Sequence, residues 1–231
     1  MTPAGTPRLV AVLGATAAGK SALGIALGRH FGGEVVACDS TAVFRGIDVG
    51  TDKVPLDEQQ GVPHHLVDVA EPTEVYSAAR YAQDAATVIR AITARRRLPI
   101  LVGGTGLYFR ALVRGLFPGP ARHEALRAAL DRVAIERGTG ELHRWVRRLD
   151  PESATRIQPR DAKRLIRALE VALVTGVPMT THFAETVSPI ADYDVLAIGV
   201  RLPAVDTAAR VARRVEQQFD RGVVDEVRRL L

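Results

Sequence analysis

A phosphate-binding loop near the start of the chain offers the clearest chemistry. It reads Gly14-Ala15-Thr16-Ala17-Ala18-Gly19-Lys20-Ser21, which matches the pattern G-x-x-x-x-G-K-[ST] between an apolar stretch (9–13) and a helical pattern (22–31). In such a loop successive backbone amides and the following helix N-terminus face a phosphate. Lys20 adds a full positive charge, and the Ser21 hydroxyl suits a magnesium ion held between phosphate oxygens. We therefore expect a ligand that carries a di- or triphosphate.

Two further candidates follow predicted buried strands. Asp39 directly follows the stretch 33–38, and Thr105 lies just beyond 98–102 in a glycine-rich turn. Ligands of parallel α/β sheets sit beyond the carboxyl ends of the strands, so both residues should share a rim with the phosphate loop. Gly104-x-Gly106 lacks the third glycine of a dinucleotide fingerprint, because Phe109 occupies that position.

The order of the elements predicts how these residues are positioned. Residues 40–72 show no sustained period and indicate a long functional loop with a short ribbon, whereas 121–176 show only helical periods. Strand character returns at 194–201. We predict an α/β fold with a P-loop NTPase-like parallel sheet core (1–116 and 191–231) and an inserted all-helical domain (117–190).

Three helices have predicted caps and core faces. Ser77 should cap a helix whose buried face includes Tyr81, Ala85, Ile89 and Ile92. Asp161 should cap a helix with Leu165, Ile166, Leu169 and Leu173 in the core and Arg160, Lys163, Arg164 and Arg167 opposite. Asp206 should cap a helix with Val211, Val215 and Phe219 inward. The basic face of the second helix fits either a solvated surface or a polyanionic partner.

The composition limits the class of protein to which the chain can belong. Hydrophobic residues at 47% and charged residues at 25% are ordinary globular values. The apolar runs are too short to span a membrane and no signal peptide is recognisable, so we expect a cytoplasmic protein with no membrane partner.

The single cysteine, Cys38, excludes an internal disulfide and a cysteine-based zinc site, and we expect it to be a buried thiol. A net charge of +5 is modest for a nucleic-acid binder, but the basic residues concentrate in the second half.

The phosphate loop alone favours a kinase or a nucleotide hydrolase. Such enzymes need a metal-binding carboxylate and a residue that positions the nucleophile. Asp39 could be that carboxylate, but the strand at 98–102 ends in Gly-Gly-Thr rather than in an acid. The ATPase interpretation is therefore incomplete, and His64-His65 in the long loop fits either a structural or a site role.

The chain resembles the tRNA dimethylallyltransferases, also called tRNA isopentenylpyrophosphate transferases. The resemblance lies in 14–21, Asp39-Ser40, 44–51 (FRGIDVGT), 61–65 (GVPHH), 103–108 (GGTGLY), 161–170 (DAKRLIRALE) and 222–227 (GVVDEV), in colinear order. It implies transfer of a dimethylallyl group from dimethylallyl diphosphate to the exocyclic amine of the adenine 3′ of the anticodon. The phosphate loop would then hold the diphosphate leaving group with Mg²⁺, with Ser21 as the metal ligand, rather than ATP.

The resemblance also assigns residue roles. Asp39 matches the base that takes the amine proton, and Thr105 matches the residue that positions it. Lys20, Arg210 and Arg214 match the groups that offset charge on the departing diphosphate. Residues matching contacts to the target base or to the tRNA anticodon stem-loop are Asp39, Ser40, Thr41, Ala42, Thr105, Arg127, Lys163, Arg164, Leu165, Ile166 and Arg167.

Two departures from the family pattern affect these expectations. Many relatives have Gln and Tyr where this chain has Ala42 and Phe44, and the family continues beyond residue 231 with an RNA-holding helical segment. Three readings stay open: a monomeric transferase, a P-loop kinase of a small substrate, and a truncated, non-catalytic tRNA-binding remnant.

Overall fold

The computed structural model describes residues 6–117 and 119–230. The chain divides into two compact units, a core unit of Met1–Gly115 and Ser188–Leu231 and an insertion unit of Leu116–Val187. The core strands are β1 (Arg8–Gly14), β2 (Gly33–Cys38), β3 (His64–His65), β4 (Leu98–Gly103) and β5 (Asp194–Val200). The helices are α1 (Lys20–Phe31), α2 (Ala78–Ala94), α3 (Gly106–Arg114), α4 (Glu124–Arg137), α5 (Thr139–Leu149), α6 (Pro151–Arg156), α7 (Ala162–Thr175), α8 (Met179–Ala184), α9 (Ala204–Asp220) and α10 (Val223–Leu230), of which α4 to α8 form the insertion.

The boundaries between the units differ slightly from the predicted ones. Leu116 belongs to the insertion, and residues 188–190 belong to the core unit. The Ser188 hydroxyl donates to the Leu112 carbonyl at 3.0 Å, and the Ile190 side chain is buried. These contacts hold residues 188–190 within the core unit before β5 begins.

The core unit is built on a five-stranded parallel sheet in the order β3-β2-β4-β1-β5, which confirms the predicted α/β fold. Strand β2 is buried along its whole length, as expected for a strand covered on both faces. In place of a ribbon within 40–72, the structure has the two-residue β3, which pairs in parallel with the edge of β2, and an isolated parallel bridge between Phe44 and Ala70. The carboxyl ends of β1, β2 and β4 meet at one edge of the sheet.

Two glycines allow the strand ends to approach closely at this edge. A Cβ atom on Gly103 would lie 2.1 Å from the Cys38 carbonyl oxygen, and one on Gly14 would lie 2.3 Å from that of Val200. No side chain fits at either distance. Both glycines therefore set the spacing of the backbone where the loops leave the sheet.

The predicted start and core face of α2 are confirmed. The Ser77 hydroxyl accepts from the Arg80 backbone N–H at 3.2 Å, and Tyr81, Ile89 and Ile92 are fully buried. In the insertion, Asp161 caps α7 by accepting from the Arg164 N–H at 3.1 Å.

The hydrophobic core of the insertion forms around α7, but only part of that helix is buried in it. Leu165 and Leu169 are buried in one cluster with residues of α4, α5 and α6, among them the fully buried Leu142. Leu173 was predicted to continue this face, but it is 53% exposed. The packed helices cover the middle turns of α7 and leave its last turn open.

The prediction for α9 is wrong in two respects. The helix begins after Pro203, so Asp206 lies in the first turn rather than at the cap, where its charge still complements the helix N-terminus. Val215 and Phe219 are 45% and 61% exposed, and Val211 is 36% exposed. The helix docks instead through the neighbouring positions Arg214 and Gln218, which bind the backbone of residues 49–51. The inward face is therefore rotated by about one residue, roughly 100°.

Across residues 6–117 and 119–230, none of the helices combines the length and the apolarity that a membrane crossing requires.

Candidate active site

A cavity of about 440 Å³ opens at the carboxyl ends of β1, β2 and β4. The sequence-predicted residues that line it are Thr16, Ala17, Gly19, Lys20, Ser21, Asp39, Thr41, Ala42 and Arg214. Parallel sheets place ligands at this edge, which explains why residues from distant parts of the chain converge here. Gly14, Ala15 and Ala18 belong to the same loop but do not line the cavity.

The phosphate loop has the backbone turns that an anion cradle needs. Ala17 and Gly19 adopt left-handed conformations, with φ of 62° and 92°, and α1 begins directly at Lys20. The Lys20 ammonium donates to the Ala15 carbonyl at 2.6 Å, across the loop. The loop amides and the start of α1 therefore face the cavity together with one full positive charge.

Three charged groups act on one another inside the cavity. Burial lowers the pKa of Lys20, the nearby Asp39 carboxylate opposes that shift, and Arg214 adds to it, so that the pKa lies below its ordinary value. A diphosphate that enters the cavity would meet both cations, because Lys20 and Arg214 both line it. Arg210 lies one turn earlier on α9, is exposed and is not among the residues that line this cavity.

Asp39 is held in a fixed orientation by the turn that follows it. Its Oδ1 accepts from the Thr41 N–H at 2.9 Å, the Thr41 hydroxyl at 2.7 Å and the Ala42 N–H at 3.3 Å. All three bonds fall on the same carboxylate oxygen. The turn therefore sets the plane of the carboxylate at the rim of β2.

Thr105 and Ser40 lie beside Asp39 but do not line the cavity. The Thr105 hydroxyl accepts from the Ser40 N–H at 3.1 Å and lies 3.4 Å from the Ser40 hydroxyl. The Thr105 N–H donates to the Cys38 carbonyl at 3.2 Å. Thr105 thus connects the end of β4 to the residues on either side of Asp39.

Cys38 and His64 occupy different environments near the site. Cys38 is fully buried, as predicted, and burial raises the pKa of its thiol to about 11, so it stays protonated at neutral pH. His64 lines the cavity, its Nδ1 lies 2.9 Å from the Val62 carbonyl, and burial lowers its pKa. A neutral imidazole therefore faces the cavity, whereas His65 pairs with Glu34 at the far end of β2.

The sequence reasoning missed the loop of residues 50–54, which forms one wall of the cavity. The Arg214 Nε atom lies 3.2 Å from the Asp52 carboxylate, and its NH2 group donates to the Thr51 carbonyl at 3.2 Å. The Lys53 ammonium is buried and binds both Asp48 and Asp68 at 2.6 Å. No local sequence pattern predicts the pairing of Arg214 with Asp52, because the two residues are far apart in the sequence.

The donor set fits a magnesium ion that arrives with a phosphate ligand. Within residues 6–117 and 119–230 there is no group of three or more His, Cys, Asp or Glu side chains that could hold a metal. Mg²⁺ commonly keeps several waters and takes one or two protein oxygens plus phosphate oxygens. The Ser21 hydroxyl lines the cavity next to Lys20 and suits that mode.

The predicted basic residues of the insertion fall into two groups. Lys163 and Arg164 are exposed on α7, and Arg164 pairs with Asp161 at 2.9 Å. Arg127 and Arg167 instead bind Glu170, which is fully buried. The side chains of Leu165 and Ile166 lie in the core of the insertion, so any RNA contact there would have to use their backbone.

Glu170, like the loop of residues 50–54, was not predicted from the sequence as part of a site. Its Oε1 accepts from the His123 N–H and from Arg127 Nε, both at 2.8 Å, and its Oε2 accepts from Arg127 NH2 at 2.8 Å and from Arg167 at 2.5 Å. The hydrogen bonds from Arg127 lower the pKa of Glu170 more than any other contact does. The pKa therefore lies at about 2, although burial by itself would raise it. Two of the predicted RNA contacts are therefore fixed by a buried carboxylate.

Comparison with known proteins identifies the family. The family model described as IPP transferase matches residues 42–231. The chain is 46% identical over 225 residues to the tRNA dimethylallyltransferase of Koribacter versatilis (strain Ellin345), covering 97% of this chain and 73% of that protein. It is 44% identical to the tRNA dimethylallyltransferase of Thiobacillus denitrificans (strain ATCC 25259 / T1), covering 100% of this chain and 74% of that protein.

Solved structures give the same result. The full-length tRNA isopentenylpyrophosphate transferase of Bacillus halodurans superposes with a TM-score of 0.65 at 37% identity, covering 96% of this chain and 69% of that one. A eukaryotic dimethylallyltransferase acting on tRNA superposes with a TM-score of 0.80 at 28% identity, covering 97% and 56% respectively. The fold, the phosphate loop and both kinds of comparison agree, and the chain belongs to the IPP transferase family, whose curated relatives are named tRNA dimethylallyltransferase.

Proposed function

We propose that this protein transfers a dimethylallyl group from dimethylallyl diphosphate to the exocyclic amine of the adenine 3′ of the anticodon in tRNA. The observation that carries the proposal is the convergence of Lys20, Asp39 and Arg214 on one cavity at the end of the sheet. Two cations beside a phosphate loop suit a diphosphate, and one oriented carboxylate beside them suits a proton acceptor.

The reaction divides between these groups. The amine nitrogen bonds to C1 of the dimethylallyl group as the bond from C1 to the diphosphate oxygen breaks. The nitrogen loses its proton to Asp39, and the electron pair of the broken bond leaves with the diphosphate. Because the lone pair of an adenine amine is delocalised into the ring, a base that removes the proton as the new bond forms makes the amine a better nucleophile.

The phosphate loop, Lys20 and Arg214 act on the leaving group. Negative charge grows on the bridging oxygen as the bond breaks, and fixed cations and amides at that position lower the barrier without reorganising. When bound with the diphosphate, Mg²⁺ would add charge neutralisation, with Ser21 as its protein ligand. Arg210 is exposed and would contribute only through longer-range attraction.

The adenine must leave its stack to reach Asp39, as is usual for chemistry on a nucleobase. We propose that the insertion holds the anticodon stem-loop, with Lys163 and Arg164 on its phosphates, while Ser40, Thr41, Ala42 and Thr105 shape the site of the target base. Arg127 and Arg167, held by Glu170, would present guanidinium groups in a fixed geometry. We expect the chain to act as a monomer, which light scattering would test.

The decisive experiment is mass analysis of anticodon fragments from tRNA incubated with the protein, dimethylallyl diphosphate and magnesium. The expected result is one dimethylallyl group in place of one hydrogen on the adenine 3′ of the anticodon. A matched reaction with ATP in place of the prenyl donor should leave the RNA unchanged. Stabilisation by ATP but not by dimethylallyl diphosphate in a thermal-shift assay, without any prenylated fragment, would instead favour a kinase.

A further inference from the structure

Glu226 on α10 is a buried carboxylate with an unusual set of partners. It is 3% exposed and accepts hydrogen bonds from three consecutive backbone N–H groups, those of Asp48 and Val49 at 2.7 Å and of Gly50 at 2.8 Å. Oε2 takes the first two bonds and Oε1 takes the third. Consecutive amides that converge in this way form an anion-binding concavity, and here a side chain of the same protein fills it.

The surroundings of Glu226 favour a charged carboxylate in close contact with the loop. Burial by itself raises the pKa of Glu226, but the three amide donors outweigh it, so the pKa lies below its ordinary value. A Cβ atom on Gly50 would lie 3.3 Å from Oε1, tighter than most real contacts, so the glycine allows this approach. The contact therefore depends both on the charge of Glu226 and on the small residue opposite it.

The same loop is bound from its carbonyl side by α9. The Gln218 side-chain amide donates to the Val49 and Gly50 carbonyls, both at 3.1 Å. One turn earlier, Arg214 donates to the Thr51 carbonyl at 3.2 Å and pairs with Asp52. Residues 48–52 are thus held on their N–H groups by α10 and on their carbonyls by α9.

This loop forms part of the cavity wall. Gly50, Thr51, Asp52 and Lys53 line the cavity together with Arg214. Asp52 adopts a left-handed backbone conformation, with φ of 56°, and its carboxylate binds Arg221 at 2.6 Å as well as Arg214. Asp52 and Thr51 fix the Arg214 guanidinium, so the position of that cation depends on the position of the loop.

We infer that Glu226 is a positioning residue for the diphosphate site, acting through residues 48–52 on Arg214. Glu226 itself does not line the cavity, whereas Gly50, Thr51 and Asp52 of the loop do. Its role is to hold the loop so that Thr51 and Asp52 keep the Arg214 guanidinium directed at the cavity. The inference rests on the proposed function for what Arg214 does there, but the coupling from Glu226 to the loop stands on the contacts alone.

The test compares Glu226→Gln with Asp225→Asn. Asp225 is the adjacent residue on α10, but it is exposed and pairs across one turn with Arg228. Gln keeps the size of the side chain, loses its charge and turns an N–H₂ group toward backbone donors. Loss of charged hydrogen bonds should weaken binding of inorganic diphosphate roughly ten- to a hundredfold in calorimetry. Asp225→Asn should bind as the wild type does.

Three further readouts separate positioning from a merely structural role. Hydrogen exchange should accelerate at the amides of residues 48–52 in Glu226→Gln. The KM for dimethylallyl diphosphate should rise while the KM for tRNA stays constant, and Glu226→Asp, which keeps the charge, should recover part of the diphosphate affinity. If Glu226→Gln does not fold, Gln218→Ala removes two bonds on the other side of the loop and should weaken diphosphate binding in the same direction.

A folded Glu226→Gln variant, as judged by circular dichroism, with wild-type diphosphate affinity would overturn the inference. So would an equal loss in Asp225→Asn. Failure of the wild-type protein to prenylate tRNA would contradict the proposed function instead, and the calorimetry with inorganic diphosphate would still decide the role of Glu226.

Discussion

The Thr105 hydroxyl accepts a hydrogen bond from the Ser40 backbone N–H at 3.1 Å, across the ends of β4 and β2. The bond ties the residue after Asp39 to the neighbouring strand. Asp39 is also held by Thr41 and Ala42 through its Oδ1 atom. The orientation of the candidate base therefore depends on two strands and one turn, which gives the first two predictions.

Replacing Asp39 with Asn should lower kcat by roughly two to four decades, the usual scale for the loss of a general base. Asn keeps an oxygen for the turn, so the affinity for dimethylallyl diphosphate in calorimetry should hardly change. Asp57→Asn, at an exposed carboxylate of the 40–72 loop, is the control and should retain full activity. Near-normal turnover of Asp39→Asn would leave Asp39 as a structural carboxylate.

Replacing Thr105 with Val should lower kcat by roughly two- to tenfold, because one net hydrogen bond of about 0.5–1.5 kcal/mol is lost from the Ser40 N–H. Thr105→Ser keeps the hydroxyl and should restore most of the rate. Both variants should melt within a few degrees of the wild type, as followed by circular dichroism. Equal rates for Val and Ser would show that this hydrogen bond does not position Asp39.

Replacing Lys20 with Ala should abolish measurable binding of inorganic diphosphate while leaving tRNA affinity intact. Lys20 lines the cavity within the phosphate loop, whereas the exposed basic residues of α7 belong to the other unit. Arg29→Ala removes a cation from the last turn of the same helix and should bind diphosphate normally. Loss of tRNA binding with normal diphosphate binding would contradict this division of roles.

Replacing both Lys163 and Arg164 with Gln should flatten the dependence of tRNA affinity on salt. If each residue neutralises one phosphate, the slope of log affinity against log salt should fall by roughly 1.4 to 1.8. Arg147→Gln with Arg148→Gln, at two exposed arginines of α5, is a control of equal charge and should change the slope less. An equal change in both double variants would indicate diffuse attraction rather than a defined contact.

Replacing Glu170 with Gln should destabilise the insertion most strongly at neutral pH. The folded state lowers the pKa of Glu170 from 4.5 to about 2. A depressed carboxylate pKa contributes stability that is present above about pH 4.5 and is lost as the pH falls toward 2. The shift corresponds to about 3 kcal/mol at neutral pH.

Urea unfolding of Glu170→Gln is best followed by the fluorescence of Trp145, the single tryptophan, which packs against the core of the insertion. The difference from the wild type should shrink between pH 7 and pH 3. Glu152→Gln removes an exposed ion pair with Arg156 and should cost less than about 1 kcal/mol at any pH. A pH-independent effect of Glu170→Gln would mean that packing, rather than charge, dominates at this position.

Features formed by residues that are close together in the chain could be predicted from the sequence. The phosphate loop, the caps at Ser77 and Asp161 and the buried strand before Asp39 each depend on residues within one or two turns of one another. Spacing and side-chain type determine such features because the interacting groups are joined by short stretches of chain. The rule that ligands bind beyond the carboxyl ends of parallel strands then brought Lys20 and Asp39 to the same rim.

Only the tertiary structure decided which charges are exposed and which helix face is inward. Arg164 and Arg167 share one helical pattern, yet Arg167 binds the buried Glu170 and Arg164 faces solvent. On α9 the apolar positions point outward because Arg214 and Gln218 bind the loop of residues 48–52. Glu226 reaches the N–H of Asp48 across 178 positions of sequence. No period or motif encodes such a contact, because it exists only once the sheet has brought the two ends of the core unit together.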